Sequence, residues 1–298
     1  MAFKTQIKSA VIAGAEKIGA FDLGQRARRM RHGNKYLRAV NYHATPATSR
    51  SNFEAQLDFL QTHFHVATKD DLEGLYDERW EHGKPGLLLS FDDGLVSNYE
   101  VAGPVLEARG LCGWFFVPSG LVFDPSRPRG DGGINGLLVP EQDEEVNHVM
   151  TWDQVRDMDK KHIIGCHSMT HVRLAEFLGP QKLREEIVDS KKVMERALGH
   201  PVDEFCWVGG ETWSYSRTGE NLVREAGYRY SFMTNVDITR PFDDRLGIQR
   251  TNIESDWDLA RVRFYLSGIM DLSYGPKRRW VAKATAPAAT VPTSSGPA

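Results

Sequence analysis

The sequence predicts an α/β fold: a parallel sheet, closed as a barrel or left open, with helices on its connections. Three observations carry this. Apolar runs of strand length recur between residues 36 and 270. Between them lie segments with apolar residues at helical spacing, which is how right-handed crossovers between parallel strands read. Several strands also end in residues fit for chemistry, and the C-terminal ends of parallel strands are where such folds gather their sites. With 298 residues, 41% apolar and 26% charged, the chain suits one large globular domain or two, not a disordered or fibrous protein. Cys112, Cys166 and Cys206 are an odd number in a long chain and read as free thiols.

Residues 1–35 form a basic segment. Ile7, Val11, Ala15, Ile18 and Phe21 fall near one face of a helix expected over 3–31, which Gly14 and Gly19 weaken. Residues 1–38 carry nine Lys/Arg against Glu16 and Asp22, although the whole chain is at -3. A basic amphipathic helix can lie on an anionic membrane surface; the plainer alternative is a helix packed on the domain. The overall charge argues against nucleic acid as a partner. No apolar run approaches the roughly 20 residues of a membrane span. Residues 9–15 are short and mild for a signal peptide and run straight into Glu16-Lys17. The expected location is the cytoplasm, with possible peripheral contact at the inner face of the membrane.

The main domain is expected over 36–275. Its first strand, 37–43, ends in Tyr42-His43. A helix over 53–60, a short strand at 64–67 and a helix capped by Asp70 or Asp71 and running to about 81 follow. Leu87-Leu88-Leu89-Ser90-Phe91 is a buried strand, and Asp92-Asp93-Gly94 closes it. The next helix stops at Gly110, and 112–118 is again a buried strand. Residues 121–148 hold Pro125, Pro128, Pro140 and four glycines, and read as a lid or substrate rim. Thr151 starts a short helix, and 162–167 is a strand ending in His167. Residues 180–198 are helical up to Gly199. Strands at 205–208, 228–234 and 248–253, a helix at 219–226 and a last helix at 256–266 complete the domain. The Ala/Pro/Thr/Ser-rich residues 281–298 are expected to be a disordered tail.

Neighbouring side chains in a strand point to opposite faces, so Asp92 and Asp93 share a site only if the chain leaves the strand at Gly94. The bland alternative is that one caps a turn and the other is solvated. His167 and His171 are spaced to converge from one turn or a tight loop. With Asp93 they make a two-histidine, one-carboxylate set that holds one divalent ion and leaves positions open. Imidazole and carboxylate suit zinc, iron, cobalt or manganese. Asp92 would then accept a proton from water, and a histidine would protonate a leaving nitrogen.

Two motifs in order, about 75 residues apart, resemble a known family. Ser-Phe-Asp-Asp-Gly (90–94) and His-Ser-Met-Thr-His (167–171), after Ile164-Gly165, are similar to the first and second motifs of the NodB-homology polysaccharide deacetylases, carbohydrate esterase family four. Thr151-Trp152-Asp153-Gln154-Val155 adds to the likeness, which spans roughly 38–270. The resemblance implies a distorted (β/α) barrel of about seven parallel strands. It also implies a metal on Asp93, His167 and His171, most simply zinc, with Asp92 as general base. The implied reaction is hydrolysis of an N-acetyl group from an amino sugar of a glycan or its precursor.

The sequence departs from that family in two places. No histidine follows His200, so the late Leu-x-His that supplies the acid in many members is missing. The branch resembling poly-N-acetylglucosamine deacetylases uses an early Tyr-His instead, which places the acid on His43. The third motif reads Phe205-Cys206-Trp207-Val208-Gly209-Gly210 in place of the usual Tyr-Pro-x-Gly or Arg-containing form. Trp207, Trp213 and Tyr215 are candidates for a sugar-stacking wall, with core aromatics as the alternative. Arg250 is a candidate site residue that would orient Asp92 through a charge-assisted pair. Two other functions stay open: an amidohydrolase of cyclic imides or ureides, and a carbohydrate-binding relic without catalysis.

Overall fold

The computed structural model describes residues 2–122 and 149–286. Seven parallel strands close into a barrel. In chain order they are β1 (Leu37–Tyr42), β3 (Gly86–Phe91), β4 (Trp114–Val117), β5 (Ile163–Cys166), β6 (Glu204–Cys206), β7 (Tyr230–Met233) and β9 (Ile248–Asn252). Around the ring the order is β1-β3-β4-β5-β6-β7-β9, and β1 closes it by pairing with both β3 and β9. Val40 lies opposite Leu89 on one side and Thr251 on the other. Two short strands are accessory: β2 (His65–Val66) runs parallel to the start of β3, and β8 (Ile238–Thr239) antiparallel to the start of β1.

Every residue of β1 and β3 is buried, as strands covered on both faces must be. Alternation sorts their side chains into two apolar clusters. Leu37, Ala39, Leu88, Trp114, Phe116, Cys206 and Phe232 fill the barrel interior. Val40, Leu87, Leu89, Phe91, Phe115 and Val117 face outward, against Phe53 and Leu57 of the helix Arg50–His63 and its neighbours. The same parity puts Ser90, Asp92 and Arg250 inside.

Helix starts follow local chemistry. Thr68, not Asp70 or Asp71, caps the helix Lys69–Tyr76, with Asp71 completing a reciprocal capping box. The helix is also shorter than expected. Thr151 and Gln154 form a second such box at Trp152–Asp159. The helix expected over 180–198 carries a π-type turn at Glu185–Asp189, and Gly199 ends it at φ 82°.

The N-terminal segment is two helices, Ala2–Lys17 and Ala20–His32, broken where Gly19 takes φ 63°. The second is docked on the domain. Phe21 packs on Phe59 at 5.1 Å, and Arg28 and Arg38 both reach Asp271, at 2.9 and 2.6 Å. Among the described residues no helix is long and apolar enough to cross a membrane. The disordered tail expected from 281 is corrected at its start. The helix Gly275–Thr285 runs through it because Val281 is buried against the core. The rest of the expected tail, 287–298, lies outside the described residues, as does 123–148 of the expected rim segment.

Candidate active site

The site is built at the C-terminal rim, where strands stop and the backbone turns out of register. β3 ends at Phe91, and the Asp92 N–H still donates to the Tyr42 carbonyl at 2.9 Å. Asp93 then adopts φ 74° and Gly94 φ 64°. A Cβ at Gly94 would lie 2.9 Å from Val117 Cγ1, so the turn needs glycine for space as well as for angle. This turn lets both carboxylates enter one site. At the end of β5 the backbone is contorted again, with Ser168 at φ 62° and His171 at φ 58°. Left-handed backbone at non-glycine residues is strained, and three of the five such residues among those described, Asp93, Ser168 and His171, stand at this rim.

Asp93, His167 and His171 converge, with ligand-type atoms within 4.8 Å of one another and all three residues buried. His171 Nε2 is 3.0 Å and His167 Nε2 3.5 Å from Asp93 Oδ1. His167 Nδ1–H donates to the Cys206 carbonyl at 3.0 Å, which turns Nε2 toward Asp93. Such an outer hydrogen bond fixes tautomer and ring orientation in metal-ligating histidines. The His171 loop is pinned by Glu186, a buried carboxylate in the π-type turn. It accepts from the Met169 and Thr170 N–H groups and from the Thr170 hydroxyl.

Asp92 is held by Arg250 through two bonds, Nη1 to Oδ1 at 2.6 Å and Nη2 to Oδ2 at 2.7 Å, with both side chains buried. Burial pushes the Asp92 carboxyl up, but the Arg250 and His167 charges outweigh it and hold the group below the usual carboxylate range. Asp92 is therefore ionised. Two buried carboxylates, Asp92 and Asp93, stand in the pocket, and one of them is already paired with the buried Arg250 guanidinium. Together with two convergent imidazole nitrogens, the other makes a donor set that fits a small divalent cation. His167 is raised: burial pushes it down, but Cys206, Asp92 and Asp93 push it further up.

His43 stands on the same cleft of about 390 Å³, with Asp92, Asp93, His167 and His171. Its Nδ1–H donates to Glu254 Oε1 at 2.9 Å. Burial lowers its proton affinity, but the Glu254 bond and the Asp93 charge raise it to about 9. Nε2 is left to act as donor at neutral pH.

The other sequence candidates separate. Trp207 is not a cleft residue. It is fully buried outside the barrel, packed on Phe205 and Tyr215, with Nε1–H on Ser231 Oγ at 2.9 Å. Strand parity explains this, since Cys206 faces in and Trp207 therefore faces out. Tyr215 is buried too, its hydroxyl accepting from the Thr234 N–H. Trp213 is half-exposed and lies outside the cleft lining, beside Phe177. Arg250 touches Asp92, Ser90 and Thr234, and does not line the cleft.

Sequence reasoning missed Glu254 and Glu186. Glu254 closes β9 in Thr251-Asn252-Ile253-Glu254, a carboxylate just past a strand end, which is the signal used for the other strands. Glu186 had no local signal.

Comparisons with known proteins bear on family and fold. A family model described as polysaccharide deacetylase matches residues 80–231. The putative polysaccharide deacetylase YxkH of Bacillus subtilis is 22% identical over 187 residues, covering 62% of this chain and 58% of that protein. This chain thus spans under two thirds of that relative's length. Among solved structures, the Streptococcus pyogenes deacetylase PplD in complex with acetate is similar at 19% identity and a TM-score of 0.60, over 78% of this chain and 98% of that one. IcaB from Ammonifex degensii is similar at 22% identity and a TM-score of 0.60, over 79% and 97%. At such identities the structural likeness speaks for the fold, and the family match speaks for descent. The chain belongs to the polysaccharide deacetylase family, with the closed seven-stranded barrel of the NodB-homology fold.

Proposed function

We propose that this protein is a metal-dependent hydrolase that removes an N-acetyl group from an amino sugar of a glycan or glycan precursor. The observation that carries this reading is one cleft holding an ionised carboxylate, a convergent two-histidine, one-carboxylate set and a proton-bearing histidine. Asp93, His167 and His171 would hold the divalent ion, zinc, iron, cobalt or manganese. When bound, the ion polarises the acetyl carbonyl and acidifies water. Asp92 accepts the proton of the attacking water, and Arg250 keeps that carboxylate ionised and oriented. His43 delivers a proton to the leaving nitrogen, and Glu254 keeps His43 charged for that step. The products are acetate and a free amine. A cyclic imide or ureide would need the same base and metal set. A relic without catalysis would give binding without acetate.

The test is metal content of the purified protein, with acetate release from an N-acetylglucosamine oligomer before and after chelation. Near-stoichiometric metal and chelator-sensitive release are expected. His171→Ala should lose metal and turnover together. Full activity in the metal-stripped protein would overturn the reading, and metal without acetate release would move it to another amide.

His43→Ala should slow turnover about a hundred-fold. Glu254→Gln removes a group that raises His43, so the alkaline limb of the rate profile should shift to lower pH. An unmoved limb would separate Glu254 from proton delivery.

A further inference from the structure

Phe177 and Trp213 are exposed by 79% and 48%, with ring centroids 6.3 Å apart at 30°. Isolated exposed apolar side chains are ordinary, but two aromatic rings from different loops meeting in solvent are not. Both loops lead into the cleft. Phe177 lies four residues past Arg173 and Trp213 two past Glu211, and those two cleft residues bond to each other, Nη2 to Oε1 at 3.3 Å. Both turns are fixed by polar contacts that leave the rings uninvolved. Glu211 accepts from Ser214 Oγ at 2.6 Å, and Glu176 accepts from the Thr218 hydroxyl and from its N–H at 3.3 Å. The rings are thus presented on short, tied turns, Glu176–Leu178 and Thr212–Ser214.

A pyranose ring matches this surface. Its axial C–H bonds carry partial positive charge and meet the negative face of an aromatic ring, while its hydroxyls reach ionic groups at the edge. Arg173 and Glu211, on the cleft wall and close in sequence to the two rings, supply such groups. Resting on the reading of the site as a glycan deacetylase, we infer that Phe177 and Trp213 form a sugar subsite. It holds a sugar ring of the glycan other than the one whose N-acetyl group reacts, and so makes Phe177 and Trp213 determinants of which chain lengths are favoured.

The test uses the full chain with N-acetylglucosamine oligomers from monomer to pentamer. Wild-type kcat/KM should climb with chain length. Trp213→Ala and Phe177→Ala should each flatten that climb by raising KM for the longer oligomers about tenfold, and Trp213→Phe should restore most of it. A length dependence that survives both alanine variants, or a loss equal at every length, would overturn the subsite. Calorimetric binding of the pentamer separates this inference from the reaction on which it rests. Binding that Trp213→Ala weakens, without acetate release from any oligomer, would keep the subsite and discard the chemistry. Pentamer binding that is absent, or equal in wild type and variant, would discard the subsite. Light scattering that shows a dimer dissolved by Trp213→Ala, with length dependence intact, would reassign the rings to self-association.

Discussion

Asp92→Asn should lower turnover by about a thousand-fold while metal remains bound. The amide matches the carboxylate in shape but cannot take a proton from water, and general-base loss of this kind costs about 10²–10⁴ in rate. Asp93, His167 and His171 are untouched, so metal content should stay at the wild-type level. The two readouts together distinguish a lost base from a collapsed site. Thermal stability should fall as well, because Arg250 keeps its charge in a buried position and loses its carboxylate partner. A variant retaining more than about a tenth of wild-type turnover would remove Asp92 from the chemistry.

The largest expected effect on stability comes from Arg250→Ala. The guanidinium is fully buried and holds both Asp92 oxygens, so its loss leaves a buried carboxylate beside Asp93 without its bidentate partner. Breaking one side of a buried pair costs about 3–5 kcal/mol, roughly 10 °C in melting temperature for a domain this size. The pH dependence has a defined sign. Asp92 is held below its unfolded value, so its stabilising contribution is present above the usual carboxylate range and is lost as pH falls through the folded pKa. In the variant only His167 and His43 oppose burial, so the Asp92 carboxyl should move up toward the neutral acid. The difference in melting temperature should therefore be large at neutral pH and narrow on acidification. A gap that is constant or widens toward acid pH would show that Arg250 stabilises by packing and not by charge. Turnover should fall in parallel, because Asp92 loses the group that orients it and that helps keep it ionised.

Most of the barrel was legible because parallel strands buried on both faces write themselves as uninterrupted apolar runs, as Leu87-Leu88-Leu89 does. The Asp-Asp-Gly and His-x-x-x-His stretches were legible because glycine marks the turn and the strand ends share one rim. Barrel closure was legible only through the family resemblance, since nothing in β1 says that its second neighbour lies about two hundred residues away. Trp207 was misplaced because its face is set by β6 parity, and the sequence does not mark which of Cys206 and Trp207 points inward. Glu186 reaches the site from a helix packed outside the barrel. Its role depends on a three-dimensional meeting with Thr170 that no spacing encodes.

Closure through the first and the last strands of the barrel orders the birth of the site in time. A nascent chain releases β1 and β3 early, and Val40 can meet Leu89 within one crossover. It can meet Thr251 only when almost the whole domain has been synthesised. Until then one flank of β1 is an open hydrogen-bonding edge, and such contacts of long sequence separation are the slow ones to form. Arg250 arrives on the same late strand and Glu254 just after it, so Asp92 and His43 receive their partners in the closing step. The wall and the site's partner groups are thus completed together, and a chain stalled short of β9 would leave the ribosome with an unsealed barrel and with Asp92 and His43 unmatched.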